Sequence, residues 1–148
     1  MRRSPTMRHV LVLLLALAST AAGPAPTAPA HVVDERGLDI KTISQGKAVA
    51  LRDHVVRGKV TIFDYTADWC KPCRILGEKL ADFARREKRI AIRKIDVTRW
   101  NTPVVREHLT GIKGLPYVQV FDRRGRRVTS LEIPQVWKIE DVVRPLLR

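Results

Sequence analysis

The sequence predicts an α/β domain: a central mixed β-sheet with helices on both faces. Three observations point to it. The run Val60 to Tyr65 is β-branched and aromatic, with apolar side chains on both alternating faces, as expected of a strand covered from both sides. Directly after it, Cys73, Leu76, Leu80, Phe83 and Ala84 recur at helical spacing. Further on, two short strand-like runs flank Asp122-Arg123-Arg124-Gly125, a turn composition that implies an antiparallel hairpin. The chain has 148 residues, 45% of them apolar and 29% charged, enough for one compact core and little more.

In chain order, residues 1–22 are expected to be a signal peptide. Arg2, Arg3 and Arg8 precede the apolar run Val10 to Ala18, and small residues follow from Ser19 to Ala22. A retained N-terminal membrane anchor is the alternative. Pro24, Pro26 and Pro29 oppose it, as does an apolar stretch shorter than the ~20 residues a spanning helix needs. Residues 23–32, rich in Pro, Ala and Thr, offer nothing to build a core and read as a flexible linker. The folded domain is expected over residues 33–148.

Between Leu38 and Val56, short apolar groups broken by Gly46 suggest a strand or short hairpin and a helical turn. Val60 to Tyr65 is expected at the centre of the sheet. A helix follows from about Cys70 to Lys88, with Arg74, Glu78, Lys79, Asp82 and Arg85 facing outward and Pro72 in the first turn, where its missing amide proton costs nothing. Ile90 to Val97 is a second strand. Thr102 as N-cap and Pro103 at the first helical position start a short helix ending near Gly111. Tyr117 to Phe121 and Arg127 to Ile133 are the hairpin strands. Ile139, Val142, Val143, Leu146 and Leu147 trace a last helix, whose final turn Pro145 must bend or fray.

The formal charge is +13, and +10 remains without the three leader arginines. The basic clusters Arg85 to Arg89 and Arg123 to Arg127 fall at a helix end and in the hairpin turn, without stacking aromatics or a groove-entering motif. This excludes a nucleic-acid reader and leaves a solvated basic surface.

The chain has two cysteines, Cys70 and Cys73, too few and too close together for a structural disulfide framework. Zinc needs four ligands, and His31, His54 and His108 show no ligand spacing. An inert pair of buried thiols is the other alternative; Trp69, Lys71 and Pro72 around the pair argue against it. At a helix start, unsatisfied amides and the macrodipole favour a thiolate, which makes Cys70 the candidate nucleophile, with Lys71 adding positive charge. Cys73, on the buried stripe, would resolve the mixed disulfide. This chemistry requires Cys70 to be reachable. Asp64 ends an apolar buried strand, where a carboxylate is expensive unless it has a role; the alternative is a cap for the following loop.

The strand and motif VTIFDYTADWCKPC, the helix after it and the later GLPYVQVF together resemble the thioredoxin superfamily, over roughly Leu38 to Leu147. The resemblance implies the thioredoxin fold, with Cys70 attacking, Cys73 resolving and Asp64 shuttling a proton. It places Trp69 beside the pair and implies a cis Leu115–Pro116 bond facing the site. Trp69, Lys71, Pro72, Leu115, Pro116 and Tyr117 are then the expected substrate-contacting residues. Two departures stand out. Tyr117 occupies a position where threonine is usual, and Ile92 stands where a lysine would pair with the buried aspartate; Lys94, on the same strand face, is the candidate substitute.

What the resemblance implies for function is an exported, periplasmic reductase of protein disulfides. It would act without cofactor or metal, as a monomer, recharged by an upstream thiol donor such as a membrane electron transporter. Pro72 between the cysteines resembles the reducing members. A disulfide oxidase or isomerase, and a redox-inactive binding module on the same scaffold, are the competing readings.

Overall fold

The computed structural model describes residues 37–148. The expected signal peptide, the linker and the expected domain start at Val33 lie outside the described residues. Five strands, β1 (Ile40–Gln45), β2 (Val60–Thr66), β3 (Ile90–Asp96), β4 (Tyr117–Phe121) and β5 (Arg127–Leu131), form a sheet in the order β1-β3-β2-β4-β5. The first three in that order run parallel, and β4 and β5 run antiparallel to their neighbours, so the sheet is mixed. β2 lies at its centre and is buried from Val60 through Tyr65, as the apolar alternation on both faces requires.

The described residues before β2 form no hairpin. They supply β1, an edge strand paired only with the distant β3, and a single 3-10 turn at Leu51–His54. A parallel pairing of this kind cannot be closed by a local turn, so the short apolar groups carry no signal for it.

Three helices cover the sheet: α1 (Lys71–Arg86), α2 (Pro103–His108) and α3 (Ile139–Val143). α1 buries Cys73, Leu76, Leu80, Phe83 and Ala84, the expected stripe. Leu76, Leu80 and Phe83 pack with α3 against Val60, Ile62, Ile92 and Val118 on one sheet face. The opposite face carries Phe63, Tyr65, Ile95 and Val97, covered by Val104 and Val105 of α2. The period-2 alternation of β2, β3 and β4 thus feeds two separate clusters.

Three elements depart from expectation. The C-terminal helix is divided: a 3-10 turn at Gln135–Lys138, then α3, then a second 3-10 turn at Arg144–Leu147 that contains Pro145. Proline removes an i→i−4 bond and the last turn tightens, while Ile139, Val143 and Leu147 stay buried. β5 ends at Leu131, ahead of a cis Ile133–Pro134 bond. Thr102 occupies the N-cap position of α2, but its hydroxyl donates to the carbonyls of Val97 and Arg99 instead of accepting from the helix.

One buried charge cluster sits among the strands. Arg93 of β3 and Asp39 are 5% and 6% exposed; Arg93 Nη1 lies 2.8 Å from Asp39 Oδ1, and Lys59 Nζ donates to Oδ2 at 2.8 Å. Burial pushes the Asp39 carboxyl up, and the Lys59 and Arg93 bonds outweigh it, leaving the group below the usual carboxylate range. Removing this anion strands a buried guanidinium. Asp39→Asn is therefore expected to cost about 3–5 kcal/mol in urea denaturation of the oxidised protein. A loss below about 1 kcal/mol would show that solvent reaches Arg93 freely.

Candidate functional site

β2 ends at Thr66, and a tight turn closed by the Cys70 amide donating to Ala67 O at 3.0 Å leads into α1. Cys70 is the N-cap of α1, with φ −92° and ψ 96°, so the helix starts at Lys71 and Pro72 lies in its first turn. The Cys70 sulfur accepts a hydrogen bond from the backbone N–H of Cys73 at 3.2 Å, an otherwise unsatisfied first-turn donor. The two cysteines are joined in a disulfide with Cα atoms 5.3 Å apart. Cys70 retains 5% of its surface and Cys73 1%. The disulfide thus lies almost wholly beneath the surface, while Lys71 and Pro72 beside it are exposed.

Asp64 is fully buried in β2, and neither carboxylate oxygen has a hydrogen-bond partner among the described residues. It caps no loop. Burial raises its pKa from 3.8 to about 6, against the opposing charge of Lys94. Lys94 is the register partner of Asp64 on β3, while Ile92 lies in the core under α1. Lys94, the candidate substitute for the lysine that the resemblance implies at Ile92, thus stands opposite Asp64 on the neighbouring strand. Lys94 also lines a groove of about 720 Å³ together with Cys73, Arg74, Gly77 and Asp96, so the inner cysteine and this lysine border the same groove.

The Leu115–Pro116 peptide bond is cis and enters β4. Leu115 and Tyr117 belong to the same apolar cluster as Cys70 and Cys73. Leu115, Pro116 and Tyr117 are all buried. The Tyr117 ring packs 5.3 Å from that of Tyr65 and its hydroxyl accepts from Gln119 Nε2 at 3.3 Å, so its side chain turns inward, and what it can offer a substrate is backbone. Trp69 is 55% exposed, and its indole N–H donates to Thr98 O at 2.7 Å. Sequence reasoning missed Trp100, which is 42% exposed with its ring 6.4 Å from Trp69. Its only sequence signal is a tryptophan standing in an otherwise polar loop.

A helix-capping cysteine bonded to a second cysteine one turn on, directly after the central strand of a mixed sheet, defines the thioredoxin-fold class. The Thioredoxin family pattern matches residues 45–140, and the chain belongs to that family. It is 23% identical over 111 residues to a chloroplastic thioredoxin-like protein of Arabidopsis thaliana, covering 72% of this chain and 41% of the relative. It is 39% identical over 72 residues to Thioredoxin H3 of the same plant, covering 49% of this chain and 52% of the relative. The chain thus spans about half the length of the curated relatives it matches. A thioredoxin variant from Halobacterium salinarum aligns with a TM-score of 0.54 at 21% identity, over 73% of this chain and 92% of that one, a likeness of fold.

The raised Asp64 pKa makes a stability prediction. A carboxyl that ionises near 3.8 when unfolded and near 6 when folded favours the fold below about pH 3.8, and that advantage is lost as pH rises through about 6. Asp64→Asn removes the loss. The variant is expected to match the wild type near pH 3.5 and to exceed it by ~3 kcal/mol at pH 8, in denaturant titrations of the oxidised proteins. A constant difference across that range would place the Asp64 titration elsewhere.

Proposed function

We propose that this chain is an exported thiol-disulfide oxidoreductase that reduces disulfides in polypeptide substrates. The observation that carries the reading is Cys70 at the N-terminus of α1, already bonded to Cys73 one turn further into the helix. In the reduced protein the helix dipole and the first-turn amides stabilise a Cys70 thiolate, which attacks one sulfur of the substrate disulfide. A mixed disulfide forms and one substrate thiolate leaves. Cys73 then loses its proton and attacks the Cys70 sulfur. The Cys70–Cys73 bond closes and the second substrate thiol departs, so two electrons pass from the chain to the substrate.

Asp64 is the candidate acceptor for the Cys73 proton. Its pKa of about 6 leaves it mostly ionised at neutral pH yet basic enough to take a proton, and the groove shared by Cys73 and Lys94 offers a route to solvent. Trp69, Lys71 and Pro72 border the sulfur, and the cis Leu115–Pro116 segment can present backbone groups to an extended substrate. Pro72 between the cysteines favours the reducing direction. The basic and apolar pattern of residues 1–22 supports export to the periplasm, where an upstream dithiol, supplied through a membrane electron transporter, would restore the reduced state.

Insulin reduction with dithiothreitol as donor is expected to fall to background in Cys70→Ser, while Cys73→Ser accumulates substrates as mixed disulfides. Undiminished turnover in Cys70→Ser would favour a binding module. The potential measured against glutathione is expected near ~−270 mV, and a value near ~−120 mV would make the chain an oxidant instead. In single-turnover experiments near pH 7, Asp64→Asn is expected to slow the second step by about 10- to 100-fold while leaving mixed-disulfide formation close to wild type. Equal resolution rates would remove Asp64 from the proton path.

A further inference from the structure

The loop between β3 and α2 is built at unusual cost. Thr98 has φ 56°, the one non-glycine residue with positive φ among the described residues, and a β-branched side chain is poorly suited to that region. The loop is pinned from several sides. The Thr98 amide donates to Asp96 Oδ1 at 2.8 Å, and the Thr102 hydroxyl bonds the carbonyls of Val97 and Arg99 at 2.8 and 2.9 Å. The Trp69 indole N–H binds Thr98 O, joining this loop to the cysteine motif. Gly46 gives it room: a Cβ there would stand 2.9 Å from Thr98 Oγ1.

What this arrangement presents to solvent is Trp100. It is 42% exposed and belongs to neither core cluster, and its ring is tilted 46° against Trp69. Trp69 directly precedes Cys70, so the two half-exposed indoles form an apolar patch at the N-terminal end of α1, which Cys70 caps. The 6.4 Å between the ring centroids is about the span of two residues of extended chain, and the inner indole belongs to the residue next to Cys70.

We propose that Trp100 and Trp69 form an aromatic shelf that grips an apolar side chain of an extended polypeptide, two or three residues from the cysteine under attack, and so selects which disulfides are reduced. This rests on the oxidoreductase reading above and adds a specificity-determining residue to it. Trp69 lies next to the sulfur in any such substrate complex; Trp100 extends the contact outward and supplies the preference.

Disulfide-linked peptide dimers carrying Phe or Ser at the second and third positions from the cysteine test the shelf. Comparing the two peptides within one protein cancels differences in thiol reactivity and in folded fraction. Reduced wild type is expected to react roughly three- to tenfold faster with the Phe peptide, the range of an aromatic contact. The ratio is expected to fall to about one in Trp100→Ala and to be largely restored in Trp100→Phe. An unchanged ratio in Trp100→Ala, or no preference in the wild type, would overturn the proposal. Should the wild type reduce neither peptide, the oxidoreductase reading fails and calorimetry decides the shelf separately, with versions of the peptides in which serine replaces cysteine titrated onto the oxidised protein. Tighter binding of the Phe version by wild type than by Trp100→Ala sustains it, and equal affinities end it.

Discussion

The full burial of β2 is the constraint on which the rest of the molecule depends. Its side chains enter one cluster under α1 and α3 and another under α2, so neither face can turn to water without dismantling a layer. Only its C-terminal end emerges, and the chain leaves there through Ala67, Asp68 and Trp69 to Cys70, the N-cap of α1. The place where the sulfur pair meets solvent is therefore decided by the length of a buried strand. The same end of the sheet receives the start of β4 with its cis Leu115–Pro116 bond and the loop after β3, because β3 runs parallel to β2 and β4 antiparallel.

The protein buries two carboxyls in its strand region and treats them in opposite ways. Asp39 is met by Arg93 and Lys59 at 2.8 Å, and these bonds outweigh desolvation, so its charge is held. Asp64 has no hydrogen-bond donor among the described residues and feels only the field of Lys94 across the ladder, so desolvation prevails and its pKa climbs. The first arrangement ties β1 and β3 to the approach of β2 and serves the fold. The second is a standing cost, and it leaves a carboxyl with a pKa of about 6 in the central strand.

A third feature, the loop from Thr98 to Thr102, extends the same contrast to the backbone. Local hydrogen bonds overdetermine a strained residue, and a glycine on another segment leaves space for it. The strained residue lies where the cysteine motif and the β3–α2 loop touch, through the Trp69 bond to Thr98 O.

How much of this was legible beforehand follows from which signals are local. Periods of two and 3.6 residues are written in consecutive side chains, so β2, β3, α1 with its buried stripe and the hairpin about Asp122 to Gly125 could be read directly, as could the cysteine pair and its place at a helix start. Asp64 was legible because one charge interrupts an apolar strand. Long-range pairings were not. That β1 is a parallel edge strand, that Arg93 is buried because Asp39 arrives beside it, that Lys94 faces Asp64, that Tyr117 turns inward onto Tyr65 and that Trp100 stands against Trp69 each depend on segments distant in the chain meeting. By itself the sequence determined the elements and the chemistry of the sulfur pair, since both are properties of neighbouring residues. Only the tertiary structure decided which charges are paired, which aromatics are displayed and how the pair is bordered, since these depend on how strands and loops come together in space.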